Sequence, residues 1–307
     1  MFKAALEDDD RAARSARREE RRALQRANNI VRAKAMHVAR LKTYEKKLKD
    51  TAAELDSSTT PTDAAFRANV GCSGWYYWHW ANAFYPAELP KSSWFDHYAD
   101  RFQTVELNAP FYSWPILSTV RTWIRQAKRR KFVYTIKVNE LITHTKRFSG
   151  TSSMVKDFGF IAELLGKHFG CFLFQLPPSF HYSPAHLARI VKQLDHRWRN
   201  VIEFRHPSWW NEKVYRAFEE NETIFCSVSA PRLPTDLIKT TDDIYIRFHG
   251  TLNWYRHDYT KQELAVWTEH IQESKAKRLW AYFNNDRNGY AFTNARELIR
   301  QLKREID

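Results

Sequence analysis

The chain has 307 residues, 43% hydrophobic and 15% aromatic, which is enough for one large domain or two ordinary ones with a sizeable core. No apolar run approaches the roughly 20 residues that a membrane-spanning helix needs. The start, MFKAALEDDD, has neither the apolar stretch of a signal peptide nor the acid-poor composition of a transit peptide. The three cysteines, Cys72, Cys171 and Cys226, lie far apart in apolar runs, as buried reduced thiols do. We therefore expect a cytoplasmic protein that does not associate with a membrane.

The net charge of +14 is concentrated at the start of the chain. Residues 1–50 hold 15 Lys and Arg against 8 Asp and Glu, a net charge of +7. No Gly or Pro precedes Pro61, so residues 11–56 can form a helix, and DSSTTPTD (56–63) has the composition of a linker. We predict a basic, helical or partly disordered extension with its linker over residues 1–60 and a folded domain over residues 61–307. The extension is either an ordinary solvated helix or a nucleic-acid contact through residues 11–50, and its composition leaves both open.

Beyond the linker, eight short apolar runs predict strands. They are NVGCS (69–73), TVELN (104–108), FVYTIKV (132–138), CFLFQL (171–176), NVIEF (200–204), TIFCSV (223–228), DIYIRF (243–248) and RLWAYF (278–283). Most of the gaps between them contain an amphipathic stretch that predicts a helix, at 118–129, 153–169, 184–198, 212–221, 260–274 and 294–304. Strands that alternate with helices pair in parallel.

Eight such repeats over about 240 residues predict an α/β protein of the TIM (β/α)8 barrel type. The main rival, an open doubly wound sheet, usually carries a glycine-rich GxGxxG loop after its first strand. The corresponding segment here is GCSGW (71–75), which does not have that pattern. The barrel, preceded by the helical extension, is therefore the favoured fold.

Polar residues alternate with apolar ones inside several of these strands. In VIEFRHPSWW (201–210), for example, Glu203 lies between Ile202 and Phe204. Because helices pack on the outside of a barrel, a polar side chain in mid-strand should point into the interior. The residues predicted to do so are Glu106, Lys137, Gln175, Glu203 and Arg247, and polar residues just beyond the strands include Asn108, Arg205, His206, His249, Asn284 and Asp286.

These polar positions fall at the C-terminal ends of the strands, where barrel enzymes place their active sites. An ion-pair network that only fills the barrel would also explain the charges, but a core of Leu and Val is usually as stable or more so. The pattern therefore favours a ligand site. The expected ligand is small and polar or anionic, because the predicted inward cations Lys137, Arg205 and Arg247 can bind phosphate or carboxylate.

The sequence leaves the chemistry of this site open. Two carboxylates at one mouth permit general acid–base catalysis, with Glu203 as the base, Glu106 as its partner acid and His249 as a further catalytic candidate. Glu106, Glu203, His249 and Asp286 could instead hold a divalent metal ion. No close-spaced pair of metal ligands supports that alternative, and no cofactor motif is evident.

Aromatic residues are frequent in the loops that follow the strands. Examples are WYYWHW (75–80), FYSW (111–114), SWW (208–210) and NWY (253–255). Some of these side chains must pack in the core, whereas others could stack on a sugar ring or a base. The loop histidines His144 and His206 have the same two interpretations, structural or ligand-binding.

Several longer blocks resemble the domain of unknown function 72 family. They are GCSGWYYWHWANAFYP (71–86), TVELNAPFYSWP (104–115), KVNELITHTKRF (137–148), LFQLPPSF (173–180), VIEFRHPSW (201–209), YIRFHG (245–250) and YFNND with GYA and NA (282–295). The resemblance covers residues 70–303 and implies a TIM barrel, but no reaction. It implies functional positions at Trp75, Glu106, Asn108, Lys137, His144, Gln175, Glu203, Arg205, His206, Arg247, His249 and Asn284. One departure is SVSAPRLP (227–234), where many relatives carry an Asp before the Pro.

The leading hypothesis is an enzyme with hydrolase-like acid–base chemistry on an anionic or phosphorylated sugar or nucleotide at the C-terminal mouth. In this hypothesis, Lys137, Arg205 and Arg247 bind the charges of the substrate. One alternative is a nucleic-acid-binding protein that uses the basic N-terminal arm and the aromatic loops. A second alternative is a non-enzymatic metabolite sensor.

Overall fold

The structure, a computed structural model, describes the backbone of residues 2–50, 66–127 and 130–304 and the side chains of residues 13–46, 66–127 and 130–303. The predicted linker at 56–63, the continuation of the first helix to residue 56 and the domain boundary after residue 60 lie outside the described residues. Those three expectations therefore stay predictions.

All eight predicted strands are present, each within two residues of its expected bounds. They are β1 (Arg67–Cys72), β2 (Thr104–Leu107), β3 (Val133–Lys137), β4 (Phe169–Gln175), β5 (Asn200–Glu203), β6 (Ile224–Ser229), β7 (Asp243–Phe248) and β8 (Arg278–Phe283). The strands pair in parallel in the order β1-β8-β7-β6-β5-β4-β3-β2. With the interleaved helices they form a nearly closed (β/α)8 barrel, which confirms the predicted fold class.

The described helices lie between the strands, except for a long one that precedes the barrel and one that follows the last strand. They are α1 (Phe2–Asp50), α2 (Trp94–Ala99), α3 (Ala109–Tyr112), α4 (Leu117–Ala127), α5 (Ser152–Leu165), α6 (Pro184–Val191), α7 (Glu212–Glu220), α8 (Lys261–Glu273) and α9 (Tyr290–Arg304). None of the described helices is long and apolar enough to cross a membrane. Helix α6 ends well before the predicted residue 198. Gln193, just after it, turns its side chain toward Thr151 and Phe148, and the chain leaves the helical path.

The barrel closes between β1 and β2 through a side chain. No ladder of hydrogen bonds joins the described residues of these two strands. Instead, the Tyr98 hydroxyl accepts a hydrogen bond from the Cys72 backbone N–H at 2.9 Å and donates one to the Thr104 carbonyl at 3.0 Å. A Cβ atom at Gly71 would lie 2.3 Å from the Thr104 carbonyl oxygen, so only glycine permits this close approach.

The two faces of the strands bury different kinds of residue. Outward positions such as Val105, Ile202 and Ile246 belong to the large apolar core that the helices cover. Inward positions change character along the barrel axis. A separate apolar cluster fills the lower interior and includes Leu173, Val201, Cys226, Val228, Tyr245 and Tyr282. The charged residues lie above this cluster, toward the C-terminal ends of the strands.

Helix α1 packs along one side of the barrel. Its Ala33 and Met36 are buried, and Asn29 bonds the loop after α3 through both ends of its amide. Asn29 Nδ2 donates to the Tyr112 carbonyl at 2.9 Å, and its Oδ1 accepts from the Trp114 N–H at 2.8 Å. Further along, Arg40 pairs with Asp157 of α5 at 2.8 Å. The extension is therefore docked, although residues 13–24 of α1 are exposed throughout.

Candidate functional site

A buried ion network occupies the upper interior of the barrel. Arg247 of β7 donates to both oxygens of Glu106 of β2, with Nη2 at 2.5 Å from Oε1 and Nε at 3.0 Å from Oε2. Its third nitrogen, Nη1, lies 2.6 Å from Glu203 Oε2 on β5. Glu106 also accepts from the Ser73 hydroxyl at 2.8 Å and the Tyr245 hydroxyl at 2.5 Å. One guanidinium thus joins two carboxylates from opposite sides of the barrel.

A second cation completes the surroundings of Glu203. Arg205 Nε lies 2.6 Å from Glu203 Oε1, at ion-pair distance, although its N–H is not directed at that oxygen. The Arg205 guanidinium packs on the Trp254 ring, 4.5 Å from its centroid. His249 Nε2 lies 3.2 Å from the same Glu203 oxygen and 3.1 Å from Arg205 Nη2. The two charges in VIEFRHPSWW are therefore partners of each other, which offsets their desolvation.

This network fixes the protonation states of its members. Burial alone would raise the pKa of Glu203, but the charges of Arg205 and Arg247 and the contact with His249 lower it well below its usual value. Burial and the same two arginines lower the pKa of His249 well below its usual value. Glu203 is therefore ionised and His249 neutral at pH 7.

Above the network lies a cavity of about 840 Å³ at the C-terminal mouth of the barrel. Six predicted polar site residues line it, Asn108, Lys137, Arg205, Arg247, Asn284 and Asp286, together with the predicted Trp75. Glu106 and Glu203 are not among the described lining residues, because Arg247 and its neighbours cover them. The cavity thus combines a cationic floor with aromatic walls.

Lys137 is a buried lining residue whose charge has no carboxylate partner among the described residues. Its Nζ lies 3.9 Å from the centroid of the Phe111 ring, and within the described part of the chain no carboxylate lies at ion-pair distance from it. Burial and the charge of Arg247 lower its pKa to about 7, and Glu203 only partly opposes them. The amine is therefore about half neutral at pH 7.

Asp286 is the carboxylate that lines the cavity directly. Its Oδ1 accepts from Trp80 Nε1 at 2.6 Å, and its Oδ2 lies 2.8 Å from His79 Nε2. Burial raises its pKa to about 6, against the opposing effects of the Trp80 hydrogen bond and the His79 charge. The cavity thus holds two groups, Asp286 and Lys137, whose pKa values lie near neutral pH.

Two side-chain amides, those of Asn108 and Asn284, line the cavity. Asn108 Nδ2 donates to the Ser73 carbonyl at 2.9 Å, but its Oδ1 is buried and has no partner among the described residues. Asn284 Nδ2 lies 3.3 Å from His249 Nδ1. A buried acceptor without a partner favours a bound ligand or water that donates to it.

The remaining predicted site residues are His144, Gln175 and His206, and each makes contacts within the protein. His144 is on a π-helical turn at Leu141–Thr145, edge-on to Phe111, and burial with the charge of Lys137 lowers its pKa to about 4. Gln175 donates to the Leu176 carbonyl at 2.8 Å. His206 accepts from the Ser208 N–H and stacks on His181, so it holds a loop turn. The structure places none of these three residues on the cavity lining, and His249 is not on it either.

Several lining residues were not singled out from the sequence. They are Tyr77, His79, Tyr112, Tyr255 and Arg287. The aromatic loop motifs pointed to this region, but they could not tell which rings face the cavity and which face the core. Asn29 of α1 holds the backbone of Tyr112, so the extension supports one wall of the cavity.

No group of three or more His, Cys, Asp or Glu side chains in the described residues has an arrangement that could hold a metal ion. Of the four residues considered as metal ligands, Glu106 and Glu203 both bind Arg247. Asp286 instead binds His79 and Trp80. The carboxylates are thus engaged by protein donors.

Fold and cavity together define a (β/α)8 barrel protein with a polar candidate ligand site at its C-terminal mouth. Residues 69–307 match the family model described as "Protein of unknown function DUF72". The chain belongs to this family, as the sequence blocks predicted.

Relatives of known sequence or structure agree with this assignment. The chain is 25% identical over 270 residues to the UPF0759 protein YunF of Bacillus subtilis, covering 76% of this chain and 94% of YunF. A crystal structure of a DUF72 family protein from Thermotoga maritima is 26% identical, with a TM-score of 0.69, and covers 77% of this chain and 99% of its own. A DUF72 family protein from Enterococcus faecalis, 19% identical with a TM-score of 0.62, covers 77% of this chain and 95% of its own and shares the fold.

Proposed function

We propose that the cavity binds an anionic polar molecule of sugar or nucleotide size and that the protein catalyses acid–base chemistry on it. The observation that carries this proposal is the charge balance of the lining. Arg205 and Arg247 are balanced by Glu203 and Glu106 beneath them. Lys137, in its protonated form, and the lining Arg287 each add a positive charge with no carboxylate at ion-pair distance among the described residues, which favours an anion in the cavity.

The other lining residues favour a sugar or a base over a bare anion. Trp75, Tyr112 and Tyr255 supply ring surface at the walls. The unpaired Oδ1 of Asn108 requires a donor such as a hydroxyl or an amine. A ligand with a ring, hydroxyl groups and one negative group would complement all three features.

For proton transfer, the geometry supports Asp286 and Lys137 as the groups that meet the ligand. Their pKa values, about 6 and about 7, lie near the pH at which an acid and a base work best. Glu203 and Glu106 were predicted as base and acid, and those roles stay predictions. Their burial beneath Arg247 and the low pKa of Glu203 support instead a role in holding Arg247 in position.

Thermal unfolding with anionic probes tests the binding site. Inorganic phosphate, glucose 6-phosphate and AMP should raise the midpoint temperature, and the two larger probes should do so more strongly. Lys137→Met should lose most of this increase relative to its own ligand-free value. Lys167→Met is the matched control, because Lys167 lines a separate basic cavity at the opposite end of the barrel. Equal increases in both variants would place the anion outside the proposed site and overturn it.

Turnover is tested by incubating the protein with phosphorylated sugars and nucleotides and following products by phosphorus and proton NMR. On any substrate found, Asp286→Asn should lower the rate strongly. Full turnover by Glu203→Gln would rule out its predicted role as the base. Stabilisation by ligands without turnover of any of them would favour the sensor alternative.

A further inference from the structure

Lys137 has an environment that suits a reacting amine better than a structural one. It ends β3 at the floor of the cavity, with its Nζ packed on the Phe111 ring at 3.9 Å. Among the described residues it has no carboxylate at ion-pair distance, whereas both neighbouring arginines have one. A buried ammonium without a counter-ion destabilises a fold, so a methionine here would pack with less cost.

The neighbours of Lys137 favour its neutral form. The charged groups that act on it are Arg247 and Arg205, which disfavour the ammonium, and Glu203 and Glu106, which favour it. Both carboxylates are bound by Arg247, whose positive charge acts on Lys137 in the opposite sense to theirs. A lysine beside another cation and out of bulk water is the usual arrangement for an amine that attacks a carbonyl.

We propose that Lys137 forms an imine with a carbonyl carbon of the anionic ligand. The proposal rests on the ligand site proposed above and narrows its substrate class to aldehydes and ketones that carry a carboxylate or phosphate. The Lys137 nitrogen lone pair forms a bond to the carbonyl carbon, and the oxygen takes up a proton to give a carbinolamine. The nitrogen then loses a proton, and the hydroxyl takes up a proton from solvent and leaves as water. The nitrogen lone pair forms the C=N bond of the protonated imine.

Reductive trapping tests this inference. The intact protein is incubated at pH 7 with glyoxylate or formaldehyde and cyanoborohydride, which transfers hydride to the imine carbon and makes the bond permanent. The adduct adds the mass of the carbonyl compound less one oxygen atom, and peptide mapping locates it. Lys137 should react at least about tenfold faster than the exposed lysines, because those are almost fully protonated at pH 7.

Three variants keep the outcome interpretable. Lys137→Met and Lys137→Arg should abolish the fast adduct, and Lys167→Met should leave it unchanged. Lys137→Arg preserves the charge, so glucose 6-phosphate should still stabilise this variant. Comparison of the two aldehydes reports on the anion site when each rate is divided by the rate at the exposed lysines, because glyoxylate should then show a larger preference for Lys137 than the neutral formaldehyde.

The possible results separate the two proposals. If Lys137 reacts no faster than the exposed lysines while anions still stabilise the protein, the imine is wrong and the ligand site stands. If formaldehyde marks Lys137 selectively but glyoxylate shows no preference and anions give no stabilisation, the amine is reactive but the anion site is wrong. Selective, glyoxylate-preferring labelling of Lys137 supports both.

Discussion

Arg247 is the residue on which the upper barrel interior depends. Its guanidinium bonds Glu106 and Glu203, and all three side chains are buried. With Arg205 on Glu203, two buried cations face two buried anions. Such a cluster is stable only as a whole, because removal of one charge leaves another uncompensated in a medium of low dielectric constant.

Glu106→Gln should therefore lower the free energy of unfolding by about 3 kcal/mol or more, although the substitution barely changes shape. The glutamine leaves the cluster with an excess positive charge. Urea unfolding followed by circular dichroism measures the change, with the exposed Glu269→Gln on α8 as control. If Glu106→Gln lowers the free energy of unfolding as little as Glu269→Gln does, water or an ion replaces the missing charge.

Lys137→Met should stabilise the protein in a pH-dependent manner. The pKa of Lys137 is about 7 in the folded protein against a usual value of 10.5, so the unfolded chain binds more protons between these two values. The decrease in the free energy of unfolding that Lys137 causes is largest at or below pH 7 and disappears as the pH rises toward 10.5. The variant should therefore be more stable by a few kcal/mol at about pH 7 and gain much less at about pH 9.5.

Urea unfolding at both pH values checks this, with Lys213→Met, an exposed position on α7, as the control. A stabilisation that is the same at both pH values would mean that Lys137 has an ordinary pKa. That result would also remove one support of the imine proposal.

At the scale of the elements, the long helix α1 acts as part of the barrel. Its buried Ala33 and Met36 and the hydrogen bond from Tyr44 to Glu163 at 2.7 Å fix it against α5 and the loop after α3. Because Asn29 bonds the backbone of Tyr112 and Trp114, α1 also positions a wall of the cavity. A helix placed in this way has a structural role whatever its charged face contacts.

Asn29→Ala should lower the free energy of unfolding by about 1–3 kcal/mol, because a buried carbonyl and a buried N–H lose their partners. The neighbouring Asn28→Ala is the matched control, since Asn28 is exposed on the same helix. Thermal and urea unfolding compare the two. If the two variants are equally stable, α1 does not dock through Asn29 in solution.

At the scale of the whole molecule, positive charge lies along α1 as well as in the cavity. Residues 13–24 of α1 are exposed and carry Arg17, Arg18, Arg21 and Arg22 beside Glu19 and Glu20. Gln25, just after this segment, donates a hydrogen bond to the carbonyl of Tyr112, which lines the cavity. The exposed arginines of this segment are the groups that would contact phosphates in the nucleic-acid alternative.

Binding of a fluorescent single-stranded DNA should weaken steeply with salt if the arm binds phosphates. The quadruple substitution of Arg17, Arg18, Arg21 and Arg22 by Gln should then reduce the slope of log K against log salt by up to about three. Fluorescence anisotropy at several salt concentrations measures both. An affinity that does not depend on the salt concentration, or that is the same in the substituted protein, would exclude this role of the arm.

The eight strands and the barrel could be predicted from the sequence because their signals are local. Apolar runs separated by amphipathic stretches predict parallel strands, and a polar residue between two apolar ones, such as Glu203, has only the interior to face. The extension could be predicted as a helix for the same reason. Its docking through Asn29 could not, because one asparagine on a helix gives no sign of what it contacts.

The sequence by itself thus determined which strands form and which side chains enter the barrel, since strand periodicity is a property of neighbouring residues. Only the tertiary structure decided that Arg247 binds both Glu106 and Glu203, that these carboxylates lie beneath the cavity, and that Lys137 has no carboxylate at ion-pair distance among the described residues. Those pairings join strands far apart in the chain, so they depend on the closed barrel. The pKa values that follow depend on burial and on charges brought together by that closure.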